Sequence, residues 1–164
     1  FQIHFNMEFY QPGELAQIIQ RSATRLGVQL AEAASHELAR RSRGTPRVAN
    51  RLLRRARDFA EVEGDGTITV DIVRLALERL GIDEEGLDAM DRRVLETIAL
   101  KFSGGPVGVD NLSTAIGEER DVIEDVYEPF LIMRGFLQRT RAGRILTASG
   151  RRHLGMPVPE GKLF

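Results

Sequence analysis

Ala39-Arg40-Arg41-Ser42-Arg43-Gly44-Thr45-Pro46-Arg47-Val48-Ala49-Asn50-Arg51-Leu52-Leu53-Arg54-Arg55 carries a helix stop, a helix start and a run of positive charge in one stretch. Gly44 is placed to close a helix whose apolar spacing runs from Leu30 to Ser42. Thr45 is placed to cap the next helix and Pro46 to occupy its first position, where the missing N–H costs nothing. That helix is expected over Arg47 to about Val62, with Val48, Leu52, Leu53, Ala56 and Phe59 or Ala60 facing inward. Arg47 then falls in the first turn. Backbone N–H groups and a guanidinium meeting at a helix start suit an anion such as phosphate. On the pattern alone, ordinary capping beside an exposed Arg is the simpler reading. Arg47, Arg51, Arg54 and Arg55 stand at i, i+4, i+7 and i+8, on one broad face. A solvated face accounts for most of them; a surface for phosphate or an acidic partner is the alternative.

Outward from that helix the punctuation is regular. Gln11-Pro12-Gly13 opens a helix with Leu15, Ile18, Ile19, Ser22 and Leu26 on one stripe, and Gly27 ends it. Gly64-Asp65-Gly66 is a turn, Thr67-Ile68 a short extended piece, and Thr69 caps a fourth helix, Val70 to Leu80, stopped by Gly81. Residues 11–81 therefore form one compact four-helix unit. The acidic segment 82–86 is the expected linker. A second unit, 87–156, is expected to carry helices Asp91 to Phe102, Val109 to Ile116 and Arg120 to Met133, with Ser103 to Pro106 a loop. Strands Phe136–Thr140 and Arg144–Thr147 then form a hairpin around Arg141-Ala142-Gly143. Three helices followed by a hairpin is the order of a winged helix-turn-helix. The fold is mainly α, and the tail 157–164 is expected to be loose.

Composition narrows the chemistry. With no Cys, disulfides and thiolate or Cys-based zinc sites are excluded. His4, His36 and His153 are too far apart in sequence to form a metal pair, so no metal site is expected. No apolar run approaches the ~20 residues of a membrane span. Phe1 to Tyr10 lacks a signal-peptide pattern. A cytoplasmic protein with no membrane partner is the expectation. The chain begins without Met and in mid-pattern, and residues 1–10 read as the edge of something longer. There is no G-x-x-x-x-G-K-[ST] loop, no apolar strand ending in paired acids and no credible Ser/His/Asp set. No catalytic residue is expected within these 164 residues.

Net charge is −1, yet Arg40 to Arg57 holds eight Arg and no acid, and Arg134 to Arg152 holds six Arg and no acid. In the second patch Arg139, Arg141 and Arg144 fall on the expected hairpin. There an Arg can lie along a DNA backbone or enter a minor groove, with Thr140 and Gly143 permitting close approach. The helix that would read bases contains Glu118, Glu119, Asp121, Glu124, Asp125 and Glu128. Such a helix repels an anionic major groove, so contact with the DNA backbone through the wing is favoured over sequence readout.

Together these segments resemble the RuvB family of AAA+ motors that drive Holliday-junction branch migration. Met7-Glu8-Phe9-Tyr10, Glu14-Leu15 and Ile18-Ile19-Gln20-Arg21-Ser22-Ala23 resemble the passage from that family's large ATPase domain into its small lid domain. The stretch from Ala39 to Arg55 is similar to its second sensor segment. Arg134-Gly135-Phe136-Leu137-Gln138-Arg139-Thr140 with Gly143-Arg144 resembles its wing, and Arg152-His153-Leu154-Gly155 its ending. The resemblance implies the C-terminal two-thirds or so of such a motor, a lid followed by a winged-helix head. It implies that Arg47 touches nucleotide phosphate, with Tyr10 and Pro46 at the same site. It implies DNA contact by Arg139 and Arg144, with Arg141 and, more weakly, Arg120 beside them. The cofactor implied is ATP with Mg²⁺, whose ligands belong to the large ATPase domain. The implied partners are duplex DNA or a Holliday junction, RuvA, and further copies in a homohexamer. The implied activity, ATP-dependent branch migration in recombination and repair, belongs to the parent protein. A stand-alone winged-helix regulator, or the C-terminal part of another AAA+ DNA-binding protein, is the alternative.

Overall fold

In a computed structural model, residues 9–159 are described. The matching residues Met7 and Glu8 and the last part of the tail lie outside them. The chain divides into two units, Phe1–Asp88 and Ala89–Phe164.

The first unit packs α1 (Pro12–Leu26), α2 (Glu32–Arg40), α3 (Pro46–Glu63) and α4 (Val70–Arg79) around one core. Leu15, Ile19, Leu38, Leu52, Leu53, Ile68 and Leu77 are fully buried in it, with alanines between them that let the helices approach closely. The caps stand where the sequence puts them. The Thr45 hydroxyl accepts the N–H of Val48 at 3.2 Å, and the Thr69 hydroxyl that of Ile72 at 3.2 Å. Helix α2 starts two residues later than its apolar pattern, because a tertiary contact claims its first backbone groups. Ile68 N–H donates to the Gln29 carbonyl at 2.9 Å and Ala31 N–H to the Ile68 carbonyl at 3.1 Å, pairing Leu30 with Ile68 in a short parallel bridge.

Segment 82–86, expected as a linker, is a hydrogen-bonded turn of this unit. The Asp83 carboxylate accepts the N–H groups of Glu85 and Leu87, each at 2.9 Å, and Ile82 packs on the core. Gly86, at φ 85°, passes so close to the Arg41 backbone that a Cβ would stand 3.1 Å from its carbonyl oxygen.

The second unit is a winged helix. Helices α5 (Ala89–Lys101) and α6 (Val109–Ile116) precede a helical run in three pieces: α7 (Arg120–Val122), a π turn (Ile123–Tyr127) and α8 (Glu128–Met133). The expected single helix from Arg120 to Met133 is thus continuous but widened in the middle. Pro129 explains the widening. It has no N–H for the carbonyl four residues back, and its ring would press on that carbonyl. Strands β1 (Leu137–Thr140) and β2 (Gly143–Leu146) pair antiparallel, with Arg139 opposite Arg144. Val107 adds a third, one-residue rung. It exchanges hydrogen bonds with Arg144 at 3.0 and 2.8 Å, so the expected loop before α6 is tied to the wing.

One element had no signal in the sequence. Helix α9 (Ala148–His153) follows β2 without an apolar stripe. It is held by Thr147, whose hydroxyl accepts Gly150 N–H at 3.0 Å and donates to the Gly135 carbonyl at 2.6 Å. The His153 ring stacks on Phe136 at 4.8 Å. Among the described residues no helix is long and apolar enough to cross a membrane.

Glu37, near the end of α2, is 7% exposed and is met by three arginines. Arg41, itself 5% exposed, donates at 2.6 and 3.1 Å; Arg40 donates at 2.8 Å, and Arg74 of α4 stands at 3.7 Å. Burial pushes the Glu37 carboxyl up, but the hydrogen bonds and charges of Arg41 and Arg40 outweigh it and hold the group below the usual carboxylate range. The native pKa is the lower one. The stabilisation is therefore present above about pH 4 and fades as pH falls through the lowered value. Glu37→Ala leaves Arg41 buried without its partner and should cost the first unit about 3–5 kcal/mol. Urea unfolding at neutral pH measures this, and an unchanged midpoint would remove the pair from the fold.

Candidate functional site

Two clusters collect the residues singled out from the sequence, one in each unit. In the first, Arg43 and Gly44 both take positive φ, 57° and 70°, which reverses the chain between α2 and α3. Gly44 is required twice over at this turn. A Cβ would stand 2.8 Å from a ring carbon of Phe9, and the carbonyl of Gly44 accepts the N–H of Tyr10 at 2.8 Å. That bond straps Tyr10 to the loop that leads into Pro46 and Arg47. Tyr10 is 39% exposed and Arg47 is exposed. The three expected nucleotide-site residues are thus neighbours.

The donors at this helix start are fewer than the sequence implied. Pro46 has none, Val48 N–H is spent on Thr45 and Ala49 N–H goes to the Thr45 carbonyl. Arg47 alone keeps both its backbone N–H and its guanidinium without a partner among the described residues. One charged fork and one N–H are donors of the kind that a phosphate oxygen, or a pair of them, accepts. Arg51, Arg54 and Arg55 continue along α3, exposed and without partners among the described residues.

In the second unit, the candidate DNA-contacting arginines fall into two states. Arg141, at the hairpin turn, is exposed and unpartnered among the described residues. The other three belong to one chain of alternating charge. Asp110 meets Arg120 at 3.4 Å, and Arg120 meets Glu124 at 3.2 Å. Glu124 meets Arg144 at 3.4 Å, Arg144 meets Glu128 at 2.9 Å, and Glu128 meets Arg139 at 3.0 Å. Glu128 is fully buried. It accepts the Arg144 Nε at 3.0 and 3.1 Å on its two oxygens. Arg144 is 9% exposed, so its guanidinium is committed inside the unit and does not stand free at the surface beside Arg141. The Arg139 side chain keeps 49% of its surface and gives Glu128 one edge only.

Two further expectations change with the geometry. Gly143 permits close approach, but to the protein itself: at φ 132°, a Cβ would run into the Val107 carbonyl. The Thr140 hydroxyl closes the hairpin on the Gly143 carbonyl at 2.9 Å. Glu124 and Glu128 are the residues that the sequence left unassigned, counted only among six acids of a repelling helix. A usable signal existed. With Leu131 they stand at i, i+4 and i+7, so two carboxylates occupy the stripe that faces the core. Among the described residues, no group of three or more His, Asp or Glu could hold a metal ion.

Residues 10–83 match the family model of the RuvB AAA lid domain, and residues 84–155 that of the RuvB C-terminal winged helix domain. The chain is 54% identical to the Holliday junction branch migration complex subunit RuvB of Anaeromyxobacter over 162 residues, covering 99% of this chain and 47% of that protein. It is 53% identical to the RuvB subunit of Myxococcus xanthus, covering 49% of it. The structure is similar to that of the Thermotoga maritima RuvB branch migration motor, with TM-score 0.90, 46% identity, and 93% of this chain matched to 51% of that one. The chain therefore spans about half the length of the relatives it matches, less than the two-thirds implied by the resemblance.

The burial of Arg144 separates it from Arg141 in a way that a melting curve can read. Arg144→Ala leaves Glu128 buried with only an edge contact and should destabilise the winged helix by about 3–5 kcal/mol. Arg141→Ala should fall within about 0.5 kcal/mol of the unaltered chain. Equal melting shifts for the two would contradict the commitment of Arg144 to the interior.

Proposed function

This chain belongs to the RuvB family, with that family's lid and winged-helix domains, and from this premise we propose that it serves an ATP-driven motor that moves branched DNA. In this reading the first unit senses nucleotide and the second grips duplex DNA by its backbone. The supporting observation is the state of two side chains: Arg47 at the capped start of α3, and Arg141 at the hairpin turn, both exposed and unpartnered among the described residues.

Arg47 donates to a nucleotide phosphate through its guanidinium and its backbone N–H. Pro46 fixes the first turn so that these donors point outward, and the Tyr10 ring lines the same place because its backbone is tied to Gly44. The donor set fits a phosphate, while the carboxylates that would bind magnesium belong, by the family resemblance, to the large ATPase domain. ATP, when bound, supplies the free energy of its hydrolysis. Movement of α3 with nucleotide state turns the first unit, and a two-position element of this kind is what a motor needs. In the second unit Arg141 and the outer edge of Arg139 contact phosphates. Arg144 holds the wing in place, and Arg120 is a lesser contact already engaged by two acids. Holliday-junction DNA, RuvA and further copies in a hexameric ring are the partners of this role.

The nucleotide reading can be tested in a chimera in which this chain replaces the matching half of Thermotoga maritima RuvB. A charge-assisted contact is worth about 1.5–3 kcal/mol. Arg47→Ala should therefore slow ATP turnover by about 10- to 150-fold while the melting temperature holds. Turnover at the parent rate would take Arg47 out of the site. The DNA reading has its own test in the isolated chain. Arg139→Ala and Arg141→Ala should each weaken binding to unrelated duplexes alike and lower the slope of log K against log salt by about 0.9. A change confined to one DNA sequence would count against backbone contact.

A further inference from the structure

Three of the four arginines that could reach DNA are bound by the protein's own carboxylates, and the arrangement is graded. Arg144 is the most closely claimed: Glu128 takes its Nε through two oxygens and its Nη2 at 2.9 Å, and Glu124 stands 3.4 Å from the same Nη2. Arg120 is held by Glu124 at 3.2 Å and by Asp110 at 3.4 Å, both near the surface. Arg139 is held by one edge, through Nη2 to Glu128 at 3.0 Å. Arg141 is held by nothing among the described residues. An Arg held by two carboxylates releases no counterion and gains little on meeting phosphate unless an acid gives it up, whereas one held by a single edge keeps its other edge for phosphate.

We propose that Glu124 and Glu128 are positioning residues that limit the grip on DNA, withholding Arg144 and Arg120 from phosphate and presenting Arg139 by its outer edge. The inference rests on the reading of the second unit as a backbone-gripping head. Glu128 does this from inside: it fixes Arg144 of β2 against α8 and, because Arg139 lies directly across the hairpin, draws that side chain to the same carboxylate. Glu124 does it at the surface. Its side chain is 27% exposed, and one oxygen serves both Arg120 and Arg144, so it competes with an incoming phosphate for Arg120. The neighbouring Asp121 and Asp125 are exposed and hold no arginine among the described residues; they contribute charge without capturing a cation. Few contacts suit a head that must let go of DNA as well as hold it, since each phosphate contact deepens the salt-dependent affinity.

Glu124→Ala separates this from general acidity. Arg144 keeps Glu128 in that variant, so the fold should hold, and a thermal melt verifies it. Binding of the 164-residue chain to a mixed-sequence duplex of ~25 base pairs is followed by fluorescence anisotropy across potassium chloride concentrations. Glu124→Ala should tighten binding several-fold at low salt and steepen the salt slope by about 0.9, one released phosphate contact. Asp125→Ala, which removes the same charge from the same helical run, should tighten binding less and leave the slope near that of the unaltered chain. Arg120→Ala added to Glu124→Ala should erase the gain. Equal effects of Glu124→Ala and Asp125→Ala would overturn the proposal and leave net charge as the explanation. So would a gain that survives loss of Arg120. If the unaltered chain binds the duplex with a salt slope that Arg141→Ala reduces while Glu124→Ala changes nothing, only the withholding role fails. Absence of any salt-dependent binding in all variants overturns the head reading and the inference together.

Discussion

The winged helix depends on one carboxylate placed between two arginines. Arg139 and Arg144 face one another across the hairpin, an arrangement that is repulsive in an antiparallel pair. Glu128 comes up beneath them from α8 and takes both. It is fully buried, and a buried carboxylate without cations would be costly to desolvate, just as Arg144 would be without it. Each charge is tolerable only because the other is there. The hairpin is therefore fixed to the helix that precedes it, and through the Val107 rung also to the segment before α6.

The first unit solves a like problem at the end of α2. Glu37 collects Arg40, Arg41 and Arg74, and in doing so neutralises the start of the most basic stretch of the chain. Arg41 is consumed there, and its backbone becomes the surface on which Gly86 and the turn after α4 close. Arg47, Arg51, Arg54 and Arg55, further along the same stretch, point to solvent. In both units a dense run of arginine is thus divided by a buried acid into cations that build the fold and cations left at the surface.

Most helix boundaries were legible because their signals are local. Thr45 with Pro46, Thr69, Gly27 and Gly117 act within one turn of where they stand, and the caps form as spaced. The departures have non-local causes. Leu30 was expected to open a helix, but Ile68 draws its backbone into a bridge. Helix α9 has no stripe to read, since it is held by Thr147 and by the stacking of His153 on Phe136. For the sites, the exposed arginines could be named from the sequence. Which of them were already engaged could not, because Glu124 and Glu128 looked like members of a solvated acidic run. Their spacing with Leu131 was the one legible sign, and the packing that buries this stripe separates them from the exposed Asp121 and Asp125.

The π turn at Ile123–Tyr127 has a bearing on how this segment can vary in length. A π turn is one residue more than the α ladder needs. A chain with that residue removed would not have to break the helix; it would wind more tightly and arrive at Pro129 in ordinary register. The cost would fall elsewhere. In the α register the Pro129 ring would press on the carbonyl four residues before it. The residues before the turn would keep nearly their phase, because the wide turn closes as the residue leaves it. The extra residue is thus room made for the proline, and Glu124 and Glu128, one turn apart, share a face with or without it.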